Sequence, residues 1–143
     1  MVPVNTFATP DEREHILRHS DSALLLFQPR LLKHDFLDEL LRMLPELGDS
    51  GSGPLFNPRT PFLRQAIALG LEQPRGKVQS WTAFLERGDA VTDALLDTMI
   101  DEVHPSDDSL IIYTSGTTGR PKGVMHLQRA AVIQSWRFAD ELR

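Results

Sequence analysis

From position 113 to 124 the chain reads Tyr-Thr-Ser-Gly-Thr-Thr-Gly-Arg-Pro-Lys-Gly-Val, a run of hydroxyls and glycines with one lysine, launched from the apolar Leu110-Ile-Ile. Glycines let a backbone turn its N–H groups toward an anion at close range. Hydroxyls add donors, and a lysine brings a mobile positive charge. Such a set suits a polyphosphate. Arg120, in the same run, reads as a solvated surface charge. The other residue types that could do chemistry are less well placed. His15 and His19 stand four apart, but no Glu follows the first as in a zinc-protease helix and no third ligand is evident. The absence of Cys removes disulfides, thiolate metal sites and a Cys nucleophile.

The elements that must position this run follow from pattern. Leu110-Ile-Ile-Tyr113 is expected as a strand entering it, Gly123–Leu127 as a short apolar piece leaving it, and a helix is expected from about Arg129 to Leu142. Upstream, Leu95, Leu96, Met99, Ile100 and Val103 form one stripe of a helix over Asp93–Val103, closed by His104-Pro105. Thr9-Pro-Asp-Glu12 has the form of a capping box with Pro at the first helical position, so a short helix runs to about His19. Ser22–Gln28 carries an apolar run without helical spacing and is expected as a buried strand of the parallel-sheet kind.

Leu32, Phe36, Leu37, Leu40, Leu41 and Leu44 line one face of a helix over Leu31–Leu47. The breakers from Gly48 to Pro61 give an exposed loop, Phe62–Leu69 a second strand, and Ser80 a cap for a short helix carrying Trp81, Phe84 and Leu85. Trp81 and Trp136 are expected in core packing. Helix and strand alternate throughout, which predicts an α/β class: a layered domain with a mainly parallel sheet flanked by helices.

Composition bounds the partners. The 143 residues, 41% apolar and 24% charged, fit one packed domain or part of one. The net charge of −5 is spread along the chain, with no basic stripe for nucleic acid. The N-terminus lacks the pattern of a signal peptide, and the apolar run Ala23–Phe27 is far short of a membrane span of ~20 residues. A cytoplasmic location is the default, and nothing in the sequence sets an oligomeric state.

The common P-loop would require Gly where Pro121 precedes Lys122, and no dinucleotide-binding Gly-x-Gly-x-x-Gly occurs. The order Thr-Ser-Gly-Thr-Thr-Gly-x-Pro-Lys-Gly at 114–123 instead resembles the signature of the adenylate-forming (AMP-binding) superfamily, and Thr117 leans toward its acyl-CoA synthetase branch. Asn5-Thr-Phe, Glu12…Ile16-Leu…Ser20-Asp21 and the lead-in at Ser106-Asp107-Asp108 are similar to segments that the family carries upstream of its signature.

The resemblance implies that Thr114, Ser115, Gly116, Thr117, Thr118 and Gly119 wrap the β- and γ-phosphates of ATP. Lys122 would neutralise charge as pyrophosphate leaves. It further implies ATP, Mg2+ and CoA, with a carboxylic acid as the group activated. One departure stands at His126-Leu-Gln128, where Gln128 occupies the family's usual histidine position.

The family's acyl, adenine, Mg2+ and CoA motifs are expected beyond Arg143. Residues 1–143 therefore read as a fragment of the large N-terminal domain, with no catalytic or metal residue of its own and no full turnover alone. The rival reading is an inactive remnant that binds nucleotide weakly or serves as an interaction module.

Overall fold

In a computed structural model the chain is described at residues 1–51, 53–114 and 119–142. It forms two compact units. The first covers Phe7–Val91. Helix α1 (Pro10–His19) starts at the expected capping box: the Thr9 hydroxyl accepts from the Glu12 amide, and the Glu12 carboxylate accepts from the Thr9 amide. Strand β1 (Leu24–Phe27) follows, then a short ribbon of β2 (Arg30–Leu31) and β3 (His34–Asp35), then helix α2 (Phe36–Met43) and a 3-10 turn at Pro45–Gly48. Strands β4 (Gln65–Ala68) and β5 (Val78–Ser80) precede helix α3 (Trp81–Glu86), which Ser80 caps as expected.

Strands β1, β4 and β5 make a parallel three-stranded sheet in that order, with Leu25 opposite Ala66 and Ala66 opposite Val78. Leu25, Phe27, Ala66, Ala68 and Val78 join Leu17, Leu37, Leu40, Met43, Leu44, Leu47, Leu55 and Leu63 in the core. Alanine at the two central positions lets the leucines of α2 close down on the sheet at the density expected of a protein interior.

Two ion pairs hold the helices around this layer. Arg13 of α1 pairs with Glu39 of α2 and lies over the Phe36 ring. Arg59 binds Glu14 through two nitrogens, at 2.9 and 2.7 Å, and also donates to the Met43 carbonyl at the end of α2.

Several expectations need correction here. β1 is not buried: it lies at the sheet's edge, and Leu24 and Leu26 stay substantially exposed on the face opposite the core. The helix expected from Leu31 begins only at Phe36, because Asp35 accepts from the Asp38 amide as N-cap. Leu32 instead sits in the ribbon's turn at φ 54° and is 78% exposed. Pro45 ends that helix, since the residue before a proline is pushed out of the helical region. The segment 48–61 is not wholly exposed, for Leu55, Asn57 and Thr60 are buried within it. Strand β5 was not anticipated, being only three residues long.

The second unit comprises Met1–Thr6 and Thr92–Arg143. Helix α4 (Asp93–Asp101) is capped by the Thr92 hydroxyl and is followed by strand β6 (Asp108–Thr114), strand β7 (Lys122–Leu127) and helix α5 (Gln128–Glu141). β6 and β7 form an antiparallel hairpin in a sheet of their own, rather than extending a parallel sheet. Residues 115–121 are too few for the crossover of a dozen or more that parallel pairing requires. On the other side of β6, the Met1 amino group donates to the Ser109 carbonyl and the Ile111 amide donates to the Met1 carbonyl, the bonding pattern of a parallel neighbour. Met1, just before Val2-Pro-Val4, thus lies against this strand.

No described residue of α4 or α5 is buried. Trp136, expected in a core, is 68% exposed, on a helix that meets β6 and β7 within the unit.

Candidate functional site

The site grows out of the β6–β7 hairpin. Leu110, Ile111 and Ile112 are paired with His126, Met125 and Val124, and the ladder continues through Tyr113 opposite Gly123 to Thr114 opposite Lys122. Residues 115–121 leave and rejoin at this last pair. β7 joins α5 directly, and the amides of Gln128 and Arg129 donate to the carbonyls of Asp107 and Pro105, which tie the far end of the hairpin to the turn before β6.

Opposed residues in an antiparallel ladder share a face. The Thr114 hydroxyl and the Lys122 side chain therefore project side by side, and both are exposed. Lys122 makes no salt bridge among the described residues. At Gly119 the backbone is at φ 88° with open space around the position, so conformation and not crowding calls for glycine there. Arg120 is exposed, as expected. Of the expected phosphate-binding set, Thr114, Gly119 and Lys122 are thus described. Ser115, Gly116, Thr117 and Thr118 lie outside the described residues.

One residue at this site was not among those expected. A Cβ built on Gly123 would lie 2.9 Å from Ile111 Cγ2 and 3.2 Å from Tyr113 Cζ, so the Tyr113 ring rests on the bare glycine backbone. An aromatic residue directly opposite a glycine across a two-strand pattern is the sequence signal that could have found it.

Two further chemistry-bearing groups of this unit stand away from the hairpin's mouth. His126 sits opposite Leu110, well down the ladder from Lys122, and Gln128 opens α5. On α1, in the Phe7–Val91 unit, the His15 and His19 rings lie 5.3 Å apart between centroids and are tilted by 33°. Among the described residues no group of three or more His, Asp or Glu side chains could hold a metal ion. No helix among the described residues is long and apolar enough to cross a membrane.

Comparison with known proteins bears on the whole chain. The AMP-binding enzyme family matches residues 1–142. The Bacillus subtilis (strain 168) protein YngI is 33% identical over 125 residues, 87% of this chain and 23% of its own length. The 3-[(3aS,4S,7aS)-7a-methyl-1,5-dioxo-octahydro-1H-inden-4-yl]propanoyl:CoA ligase of Mycobacterium tuberculosis (strain ATCC 25618 / H37Rv) is 32% identical over 138 residues, 95% of this chain and 24% of its own.

The crystal structure of the anthranilate CoA ligase AuaEII in complex with anthranoyl-AMP superposes with a TM-score of 0.62 at 24% identity, over 90% of this chain and 20% of that one. The chain spans about a quarter or less of the length of these relatives. A match running from the first residue to the last helix, with the signature at 114–123 lying inside it, shows that the chain belongs to the AMP-binding enzyme family, the adenylate-forming superfamily.

Proposed function

We propose that this chain supplies the ATP-phosphate-binding loop of an ATP-dependent acyl-CoA ligase. The observation that carries the reading is the hairpin mouth. A hydroxyl and an exposed ammonium stand opposite each other where a glycine- and hydroxyl-rich connection leaves and returns. The names of its relatives, among them CoA ligases matched over 90% or more of this chain, support the acyl-CoA branch.

In the proposed reaction a carboxylate oxygen attacks the α-phosphorus of ATP, the bond to the bridging oxygen breaks, and pyrophosphate departs with the electron pair. The CoA thiol then displaces AMP from the acyl-adenylate, forming the thioester and releasing its proton. The chain's own residues act on the leaving group. Thr114 and the loop hydroxyls donate to phosphate oxygens, Gly119 allows the backbone to turn there, and Lys122 stabilises charge developing as pyrophosphate separates. Donors fixed by a strand pair need little reorganisation as that charge appears. The reading gives no residue of this chain a part in holding Mg2+, adenine, the acyl group or CoA.

Titration calorimetry of the 143-residue chain tests the proposal. ATP binding is expected, and Lys122→Ala should weaken it about tenfold or more, the scale of a charge-assisted hydrogen bond. Equal affinity in the two proteins would remove Lys122 from the site.

A further inference from the structure

We propose that Tyr113 is a positioning residue for phosphate binding: its ring, seated on Gly123, locks the strand register that sets Thr114 opposite Lys122. The inference rests on the phosphate-binding reading above and adds the device that shapes the loop's mouth.

Glycine inside a strand is a weak point, since it brings no side chain to the ladder and leaves backbone open. An aromatic ring on the residue directly opposite covers that gap and makes a pair of the two. Tyr113 and Gly123 stand in this relation, one step below the Thr114–Lys122 pair. The fit is tight, because even a single added carbon at 123 would meet Ile111 Cγ2 at 2.9 Å and the ring at 3.2 Å.

This fit discriminates between registers. The residues flanking Gly123 are Lys122 and Val124, each with a Cβ and more. Slipping β7 by one position would drive one of them under the ring and carry Lys122 to the opposite face of the hairpin, away from Thr114. Neither one-step slip offers the ring a bare backbone. Tyr113 thereby acts on bound phosphate through Thr114 and Lys122.

The test combines calorimetry with inorganic triphosphate and NMR of the full 143-residue chain. Tyr113 is the chain's single tyrosine, so its ring gives one set of signals. Gly123 Hα should be shifted by the ring current in the wild type and in Tyr113→Phe, and should lose that shift in Tyr113→Leu. Triphosphate affinity should fall about tenfold in Tyr113→Leu and Gly123→Ala and be retained in Tyr113→Phe, a loss on the scale of one charge-assisted contact.

Wild-type affinity in a folded Tyr113→Leu would overturn the proposal while leaving the phosphate site standing. Absence of triphosphate binding by the wild type would overturn both. If Tyr113→Leu melts the hairpin, the wild type decides: triphosphate should move the Gly123 and Tyr113 signals together, and stationary signals under saturating triphosphate would refute the coupling.

Discussion

Thr114 and Lys122 are directly opposed residues at the open end of the β6–β7 ladder, and both are exposed there. An exposed Lys and a Thr have little to gain from each other, because the neutral Thr hydroxyl offers the ammonium no better acceptor than the water it would replace. Under the proposed reading, an anion entering between them gives the pair its role.

Thr114→Val keeps the β-branched shape that suits a strand and removes the hydroxyl. Under the phosphate reading it should weaken ATP binding by about 0.5–1.5 kcal/mol, the net value of one hydrogen bond, while the chain's urea midpoint stays put. Calorimetry and urea unfolding measure the two quantities. A drop in stability without a drop in affinity would recast Thr114 as a structural strand residue.

Gly76 is at φ 60°, and a Cβ there would lie 2.3 Å from the Leu47 carbonyl oxygen, while the next amide, of Lys77, donates to that same oxygen at 2.7 Å. Gly76→Ala should therefore destabilise the Phe7–Val91 unit by about 2–4 kcal/mol, combining left-handed strain with overpacking. Gly88 has open space and is the control. Similar urea midpoints for the two alanine variants would contradict this.

The two units should respond differently to loss of apolar volume. Leu40 is 6% exposed in the core under α2, and Leu40→Ala is expected to cost about 2–5 kcal/mol. Leu96 on α4 is 50% exposed, so Leu96→Ala should cost within about 1 kcal/mol. Thermal unfolding followed by circular dichroism compares them, and equal shifts would show that the α4 face is covered in solution.

Acid should weaken the first unit at its two helix starts. The Glu12 carboxyl is held below its usual range chiefly by the Thr9 amide and then by the Thr9 hydroxyl, and Asp35 chiefly by the Asp38 amide and then by Arg30. A group whose pKa is depressed on folding contributes stability that is complete above its unfolded value, about 4 for a carboxyl. That contribution is lost as pH falls through the depressed value. Urea midpoints should fall from pH 5 toward pH 2, and Glu12→Gln should flatten the fall. An unchanged slope would show that this cap carries no acid sensitivity.

What the sequence determined by itself is local. The capping box at Thr9–Glu12, the Ser80 cap, the stripe of α4 and the loop signature at 114–123 are each written in residues within a few positions of one another. Side-chain capping, helical periodicity and glycine-rich turns act at that range. The family was legible for the same reason, since its signature is one unbroken run.

Tertiary structure decided what depends on distant partners. The apolar run at Leu24–Phe27 cannot say that its strand will lie at an edge, because edge or centre is settled by whether β4 and β5 both fall on one side of it. Leu32 fits the helical spacing of its neighbours but is taken by a ribbon turn once Asp35 caps α2. Trp136 looks like a core residue from its spacing, yet the contacts of α5 with β6 and β7 leave it 68% exposed. The seat of Tyr113 on Gly123 belongs to the same class: they stand ten positions apart in the chain, and antiparallel pairing in this register brings the ring onto the glycine.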